Sequence, residues 1–166
     1  LGGYQSIVRV MPNTPAQIQA GVSGLYAMPE VTENQHTQAE TIMRAVGEVL
    51  WLDEESKMDA VTAISGSGPA YVFYFIEAMQ QAALELGLTE EQAKTLSLET
   101  FIGASLLAAQ SLETPATLRS QVTSKGGTTE QAIHTMAAAA VNSAIIKAAK
   151  AAANRSQELG DILGKD

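Results

Sequence analysis

Two stretches of this chain, Ala70 to Met79 and Phe101 to Ala109, read as helices that are apolar on nearly every side. A helix without a polar face has to be surrounded. The second stretch also carries Gly103, Ala104, Ser105 and Ala108, which allow other backbones to come close. A chain of 166 residues, 46% of them hydrophobic, buries one sizeable core, or one domain and a piece of another. It has little interior in which to hide two such helices. Pairing with a copy of itself supplies that interior most easily, so an interleaved homodimer is expected.

The order of elements places these helices in the second of two regions. Ile7 to Val10 reads as a short strand running into Met11-Pro12-Asn13-Thr14-Pro15, where two prolines and an Asx residue force an extended turn. Ala20 to Ala27 and Glu48 to Leu52 suit two further strands. Between them Thr32 to Val46 shows Ala39, Ile42, Met43 and Val46 at helical spacing. Three short strands make no stable sheet, so residues 1–53 look like the tail of a larger α/β domain. From there the pattern is helical throughout. Asp53 is expected to cap a helix over Glu54 to Ala63, and Pro69 to open one that stops at Gly87. Thr89 with Gln92 forms a capping box for a helix to about Gln110, and Thr114-Pro115 starts a short one to about Val122. A single long helix is expected from Thr129 to about Leu159. The chain begins Leu1-Gly2-Gly3-Tyr4, without an initiator methionine, and an upstream segment is expected.

Thr123-Ser124-Lys125-Gly126-Gly127-Thr128-Thr129-Glu130-Gln131 stands where that last helix begins. Thr128 as N-cap with Gln131 at the third helical position is a capping-box spacing, and it leaves first-turn N–H groups facing outward. Gly126 and Gly127 let a ligand approach the backbone, and the helix dipole adds roughly half a positive charge. The stretch is a candidate cradle for a carboxylate or phosphate. Read structurally, it is a glycine-rich turn capped by threonine, and spacing alone leaves both readings open.

Charge narrows the classes of partner. Ten Lys and Arg against eighteen Asp and Glu give a formal net charge of −8. Nucleic acid and anionic membrane both need a basic face, so neither is expected as a partner. With no cysteine there is neither a disulfide framework nor a thiolate metal site. The two histidines, His36 and His134, lack ligand spacing and are expected on helix surfaces. No metal is expected: Asp53, Glu54, Glu55 and Asp59 fit the dipole of a first helical turn better than a cation cluster. Nothing resembles a membrane span or a secretory leader, so a cytoplasmic location is expected.

Ser65-Gly66-Ser67-Gly68-Pro69 fails the common glycine motifs. A nucleophile elbow on Ser67 needs glycine at 65 and 69, and a dinucleotide fingerprint needs one at 71, where Tyr71 stands. Thr62, Ser65 and Ser67 either line a pocket or simply turn the chain.

Taken together, Arg9-Val10-Met11-Pro12-Asn13-Thr14-Pro15, Ala63-Ile64-Ser65-Gly66-Ser67-Gly68-Pro69-Ala70-Tyr71 and the stretch Thr123 to Thr129 resemble the motifs of the pyrroline-5-carboxylate reductase family. Order and spacing match from about residue 7 to about Leu159. The resemblance implies a mainly α fold: a helical dimerisation domain of the 6-phosphogluconate-dehydrogenase-like C-terminal type, preceded by the last strands of a Rossmann-like domain. The implied division is 1–53 for the nucleotide-binding remnant and 54–166 for the helical, substrate-binding and dimerising part. The family's amino-terminal nucleotide-binding half, with its phosphate loop, is not in this sequence.

The implied reaction is hydride transfer from NADPH (or NADH) to 1-pyrroline-5-carboxylate, giving L-proline in the last step of proline biosynthesis. By resemblance, Thr128 and Thr129 hold the substrate carboxylate and ring, helped by Gly126 and Gly127, with Thr129 and Glu55 at the reacting centre. Gln121 and Val122 would face the nicotinamide end of the cofactor, Asn13 and Glu55 would contact the cofactor, and Val122, Ser65 and Ser67 would complete the substrate pocket. The chain by itself is expected to be an inactive piece of such a reductase. The rival readings are a non-catalytic helical dimerisation module and another dehydrogenase that joins a Rossmann half to a helical domain.

Overall fold

The computed structural model describes residues 3–164, so the readings on Leu1 and Gly2 and the outer domain limits lie outside it. The chain forms two compact units. One holds the sheet, the chain up to Tyr71 and the last helix from Lys147 onward; the other is Val72–Ile146.

In the first unit three strands lie in the order β1 (Val8–Met11), β2 (Gly21–Ala27), β3 (Gly47–Trp51). β1 and β2 run antiparallel, Val8 opposite Ala27 and Met11 opposite Gly24. Antiparallel neighbours need only a short link, supplied by a 3-10 turn over Thr14–Ile18 with Pro15 in its first turn. β2 and β3 are parallel, Gly21 opposite Gly47 and Leu25 opposite Trp51. A parallel pair requires a crossover, and α1 (Glu33–Arg44) provides it. Its start is fixed by a capping box: the Thr32 hydroxyl accepts from Gln35 N–H, and Thr32 N–H donates to Gln35 Oε1 at 2.9 Å. Its side packs on β3 through two rings, His36 stacked on Trp51 with centroids 3.4 Å apart, while Trp51 Nε1 donates to Glu40. His36 therefore lies against the sheet, whereas His134 is exposed on its helix. Leu25 and Met58 are fully buried in this unit. Gly24 lets Val61 come close, because a Cβ there would stand 2.7 Å from Val61 Cγ1.

The segment after β3 corrects one expectation. Asp53 caps no helix, because its carboxylate is held by Lys57 Nζ at 2.6 and 2.8 Å. A 3-10 turn over Glu55–Lys57 comes first, then a single turn, α2 (Met58–Val61), and then a π-helical turn over Thr62–Gly66 closed by Ser67 N–H donating to Thr62 O at 2.8 Å. α3 (Gly68–Glu85) starts one residue before Pro69. The ring still falls in the first turn, where its missing N–H costs nothing.

The second unit contains the rest of α3, then α4 (Glu90–Gln110), α5 (Pro115–Gln121), α6 (Thr128–Ala138) and the first turns of α7 (Val141–Leu163). The capping box of Thr89 and Gln92 is present, and Thr114 caps α5. The long helix expected from Thr129 to Leu159 is broken: Ala140 adopts φ 53°, in the left-handed region, and separates α6 from α7. No glycine or proline marks that break in the sequence. Neither all-apolar helix is enclosed within the single chain. Phe73 is 58% exposed, Tyr74 73%, Leu106 55% and Leu107 58%. Among the described residues of this unit only Ala93 and Ser97 are buried.

Candidate active site

Two places in the chain gather the residues singled out above, one in each unit.

In the first unit a cavity of about 510 Å3 opens at the carboxyl end of β1, lined by Met11, Asn13, Thr14, Thr62, Gly66 and Ser67 among others. Carboxyl ends of strands are where α/β sheets hold ligands. Asn13 is fixed there because its Oδ1 accepts from Val22 N–H at 3.0 Å. What it can offer a ligand is its NH2 group, a donor pair. The π-helical turn supplies the opposite wall by carrying Thr62, Gly66 and Ser67 to the cavity. Thr62 Oγ1 is engaged with Met58 O at 2.9 Å. Ser65 does not line the cavity: its Oγ is buried within the turn and, among the described residues, has no hydrogen-bond partner.

Three acidic residues nearby, Glu55, Asp59 and Asp53, go to separate partners. Glu55 Oε1 accepts from Arg9 Nη1 at 2.9 Å, with both side chains about half exposed, and so ties β1 to the segment leading into α2. Asp59 Oδ1 accepts from Ser156 Oγ on α7 at 2.6 Å. Asp53 belongs to Lys57, whose ammonium holds that carboxyl below its usual range. On α1, Trp51 and then Arg44 do the same to Glu40.

In the second unit the loop before α6 takes a frame one residue earlier than the spacing suggests. Gly127 is the N-cap, at φ −84°, ψ 170°, and Thr128 is already helical, so neither Thr128 as cap nor Gln131 as third residue holds. The reason is steric: Gly127 N–H donates to Ser124 O at 3.0 Å, and a Cβ at Gly127 would stand 2.5 Å from Ser124 Oγ. That tight turn requires glycine, and it puts the glycine at the cap. A cap without a side chain occupies none of the first-turn donors. Among the described residues, the N–H groups of Thr128, Thr129 and Glu130 have no acceptor and the two threonine hydroxyls make no hydrogen bond. Gly126, at φ 74°, turns its N–H to Glu130 Oε2 at 2.8 Å. Gln121 and Val122 end α5 just upstream, Val122 64% exposed. Sequence reasoning missed two contacts here, Arg9 with Glu55 and Glu130 with Gly126. The second was marked by an acid three residues after the glycine pair, and the first joins residues 46 positions apart and carries no local mark.

Loops and donors of this kind suit a small carboxylate, and the comparisons with known proteins give that chemistry a family. The family model described as pyrroline-5-carboxylate reductase dimerisation matches residues 55–159. This chain belongs to the pyrroline-5-carboxylate reductase family. It is 48% identical over 99% of its length to the pyrroline-5-carboxylate reductase of Pseudomonas aeruginosa, of which it covers 60%, and 43% identical to that of Haemophilus influenzae over 93% of its length, covering 58%. It resembles the solved structure of a pyrroline-5-carboxylate reductase from Coxiella burnetii with a TM-score of 0.88 at 48% identity, over 92% of this chain and 57% of that one. The Plasmodium falciparum enzyme, crystallised with NADP bound, matches with a TM-score of 0.88 at 32% identity, over 93% and 63%. The chain thus spans about three fifths of the length of the curated relatives it matches. The mainly helical fold with a small three-stranded sheet is that of the family.

Proposed function

We propose that this chain is the substrate-holding and dimerising part of a cytoplasmic pyrroline-5-carboxylate reductase, which converts 1-pyrroline-5-carboxylate to L-proline with NADPH or NADH. The observation that carries the proposal is the 48% identity across nearly the whole chain to a relative of that name. The division at 53 and 54 belongs to the proposal and is supported by the start of the dimerisation match at residue 55.

The cavity at the end of β1 fits one end of such a cofactor, since Asn13 presents donors suited to a nicotinamide carboxamide between walls from Met11 and the π-helical turn. Asn13 would hold that end, and the cofactor when bound supplies the hydride. The rest is positioning. The open N–H groups of Thr128 and Thr129, with their hydroxyls and the Gly126–Gly127 turn, fix the substrate carboxylate and so the orientation of its ring. Held orientation and exclusion of water account for most of what such a site needs, as no covalent nucleophile or metal is called for. Ser67 lines the cavity wall. Glu55 acts through its ion pair with Arg9, which steadies the strand that leads to Asn13.

The exposed faces of α3 and α4 support the homodimer, because a second copy gives those side chains the cover a single chain lacks. Light scattering at micromolar concentration should give twice the chain mass, and a monomer would remove this part of the reading. One observation favours a second reading for the chain in isolation. It spans only three fifths of its relatives, so alone it would be a dimerisation module without turnover. Nicotinamide oxidation with 1-pyrroline-5-carboxylate, run on this chain and on the full product of its gene, separates the cases. Activity in the longer protein alone fits the reductase with this chain as its fragment, and activity in neither sinks the reductase reading.

A further inference from the structure

The hydrogen bonds of the π-helical turn do not close on themselves. In an α-helix the Ser67 N–H would donate to Ala63 O, four residues back. It donates instead to Thr62 O, five residues back, at 2.8 Å. The carbonyl passed over belongs to a residue only 2% exposed, where water offers no substitute and an unpaired acceptor is costly. The Tyr71 hydroxyl, from the first turn of α3, donates to it at 3.0 Å. Nothing inside the turn takes that part: Thr62 Oγ1 donates to Met58 O, and the buried Ser65 Oγ has no partner among the described residues. Among those residues Tyr71 is the one side chain from outside the turn that hydrogen-bonds to it. The register matters because Thr62, Gly66 and Ser67 reach the cavity beside Asn13 from this turn. The tighter α register is the usual one, and a single π-helical turn has to be held against it. In the α register Ser67 N–H would satisfy Ala63 O itself, the Tyr71 hydroxyl would lose its acceptor, and Gly66 and Ser67 would shift relative to Thr62. We propose that Tyr71 is a positioning residue for the reductase reaction: its hydroxyl keeps the turn in the π register and so keeps the cavity wall in place against the nicotinamide end of the cofactor. This rests on the reading of that cavity as the nicotinamide site.

The test is Tyr71→Phe in the full gene product, which keeps the ring and its packing and removes only the hydroxyl. Leaving the Ala63 carbonyl unpaired disfavours the π register by about fivefold or more, so kcat should fall by at least about that factor. KM for 1-pyrroline-5-carboxylate should hardly change, because the substrate carboxylate is assigned to the loop before α6. A crystal structure of the variant should show the Ser67 N–H turned to Ala63 O. A merely structural role for Tyr71 would lower the unfolding temperature and leave the kcat of the folded enzyme where it was. That result, or a turn that keeps its π register in the crystal, overturns the proposal while the reductase reading stands. If the wild-type gene product itself turns over no 1-pyrroline-5-carboxylate, the reductase reading fails and the proposal with it.

Discussion

Gly127→Ala probes the cradle at its tightest point. A Cβ there would lie 2.5 Å from Ser124 Oγ and 3.1 Å from Ser124 O, so the tighter contact is roughly 1 Å closer than ordinary packing allows. The Ser124 hydroxyl can rotate away, but the carbonyl cannot, because it accepts the Gly127 N–H that closes the turn. The turn must open by several tenths of an ångström or more and carry the Thr128 and Thr129 donors with it. Losing that one exposed hydrogen bond costs about 0.5–1.5 kcal/mol. Restricting the unfolded chain by replacing glycine returns about 0.4–1 kcal/mol, so global stability should hardly move. Turnover should move far more, since a misplacement on the order of 1 Å in a positioning site costs up to about a hundredfold. The assay is kcat/KM for 1-pyrroline-5-carboxylate in the full gene product, with thermal unfolding measured alongside. Adding Ser124→Ala removes the closest clash and should recover part of the lost activity. Wild-type kcat/KM in Gly127→Ala at unchanged stability would refute the placement of the substrate carboxylate on this turn.

Thr129→Ala removes a hydroxyl that makes no bond within the described chain; one lost hydrogen bond to a charged substrate is worth about 1.5–3 kcal/mol, so kcat/KM should fall about 10- to 150-fold with unfolding unaffected. Ala140→Gly relieves a left-handed alanine at about 1–2 kcal/mol and returns about half of that as unfolded-state entropy, so differential scanning calorimetry should show a Tm higher by about 1–4 °C. For pH, the carboxyls of Glu40 and Asp53 are held low by hydrogen bonds from Trp51 and Lys57 respectively. Their stabilisation is fully present above the unfolded carboxylate range and is lost as pH falls through the folded values, so denaturant midpoints should drop below about pH 4. Asp53→Asn with Glu40→Gln should flatten that acid limb. The partner cations, Arg44 and Lys57, are raised, and their share is lost only at strongly alkaline pH.

Much of the fold was legible because its signals are local. Thr32 with Gln35 and Thr89 with Gln92 mark helix starts within four residues, and the structure has both boxes. The alternation of strand, helix and strand from Gly21 to Trp51 needed only periodicity and a parallel crossover. Where the reading failed, a longer contact decided. Asp53 has the composition of an N-cap, but Lys57 four residues on captures its carboxylate and the helix starts later. The break at Ala140 has no residue to announce it, because alanine is the strongest helix former and yet stands there in the left-handed region. Phe73 and Leu106 were read as residues that need cover, and in a single chain they stand exposed.

The site shows the same division at the scale of one residue. Spacing assigned the cap to Thr128, since threonine caps better than glycine by composition, and the turn overrides that preference because only glycine fits against Ser124. The shift by one position matters chemically. With Thr128 as cap, its hydroxyl would be spent on a backbone N–H two or three residues on; with Gly127 as cap, that hydroxyl and the first-turn N–H groups remain for a ligand. The acid at 130 moves as well, from the second helical position to the third, from which it reaches Gly126. A capping rule applied to sequence therefore found the right loop and the wrong donors. The correction increases the number of donors open to a substrate.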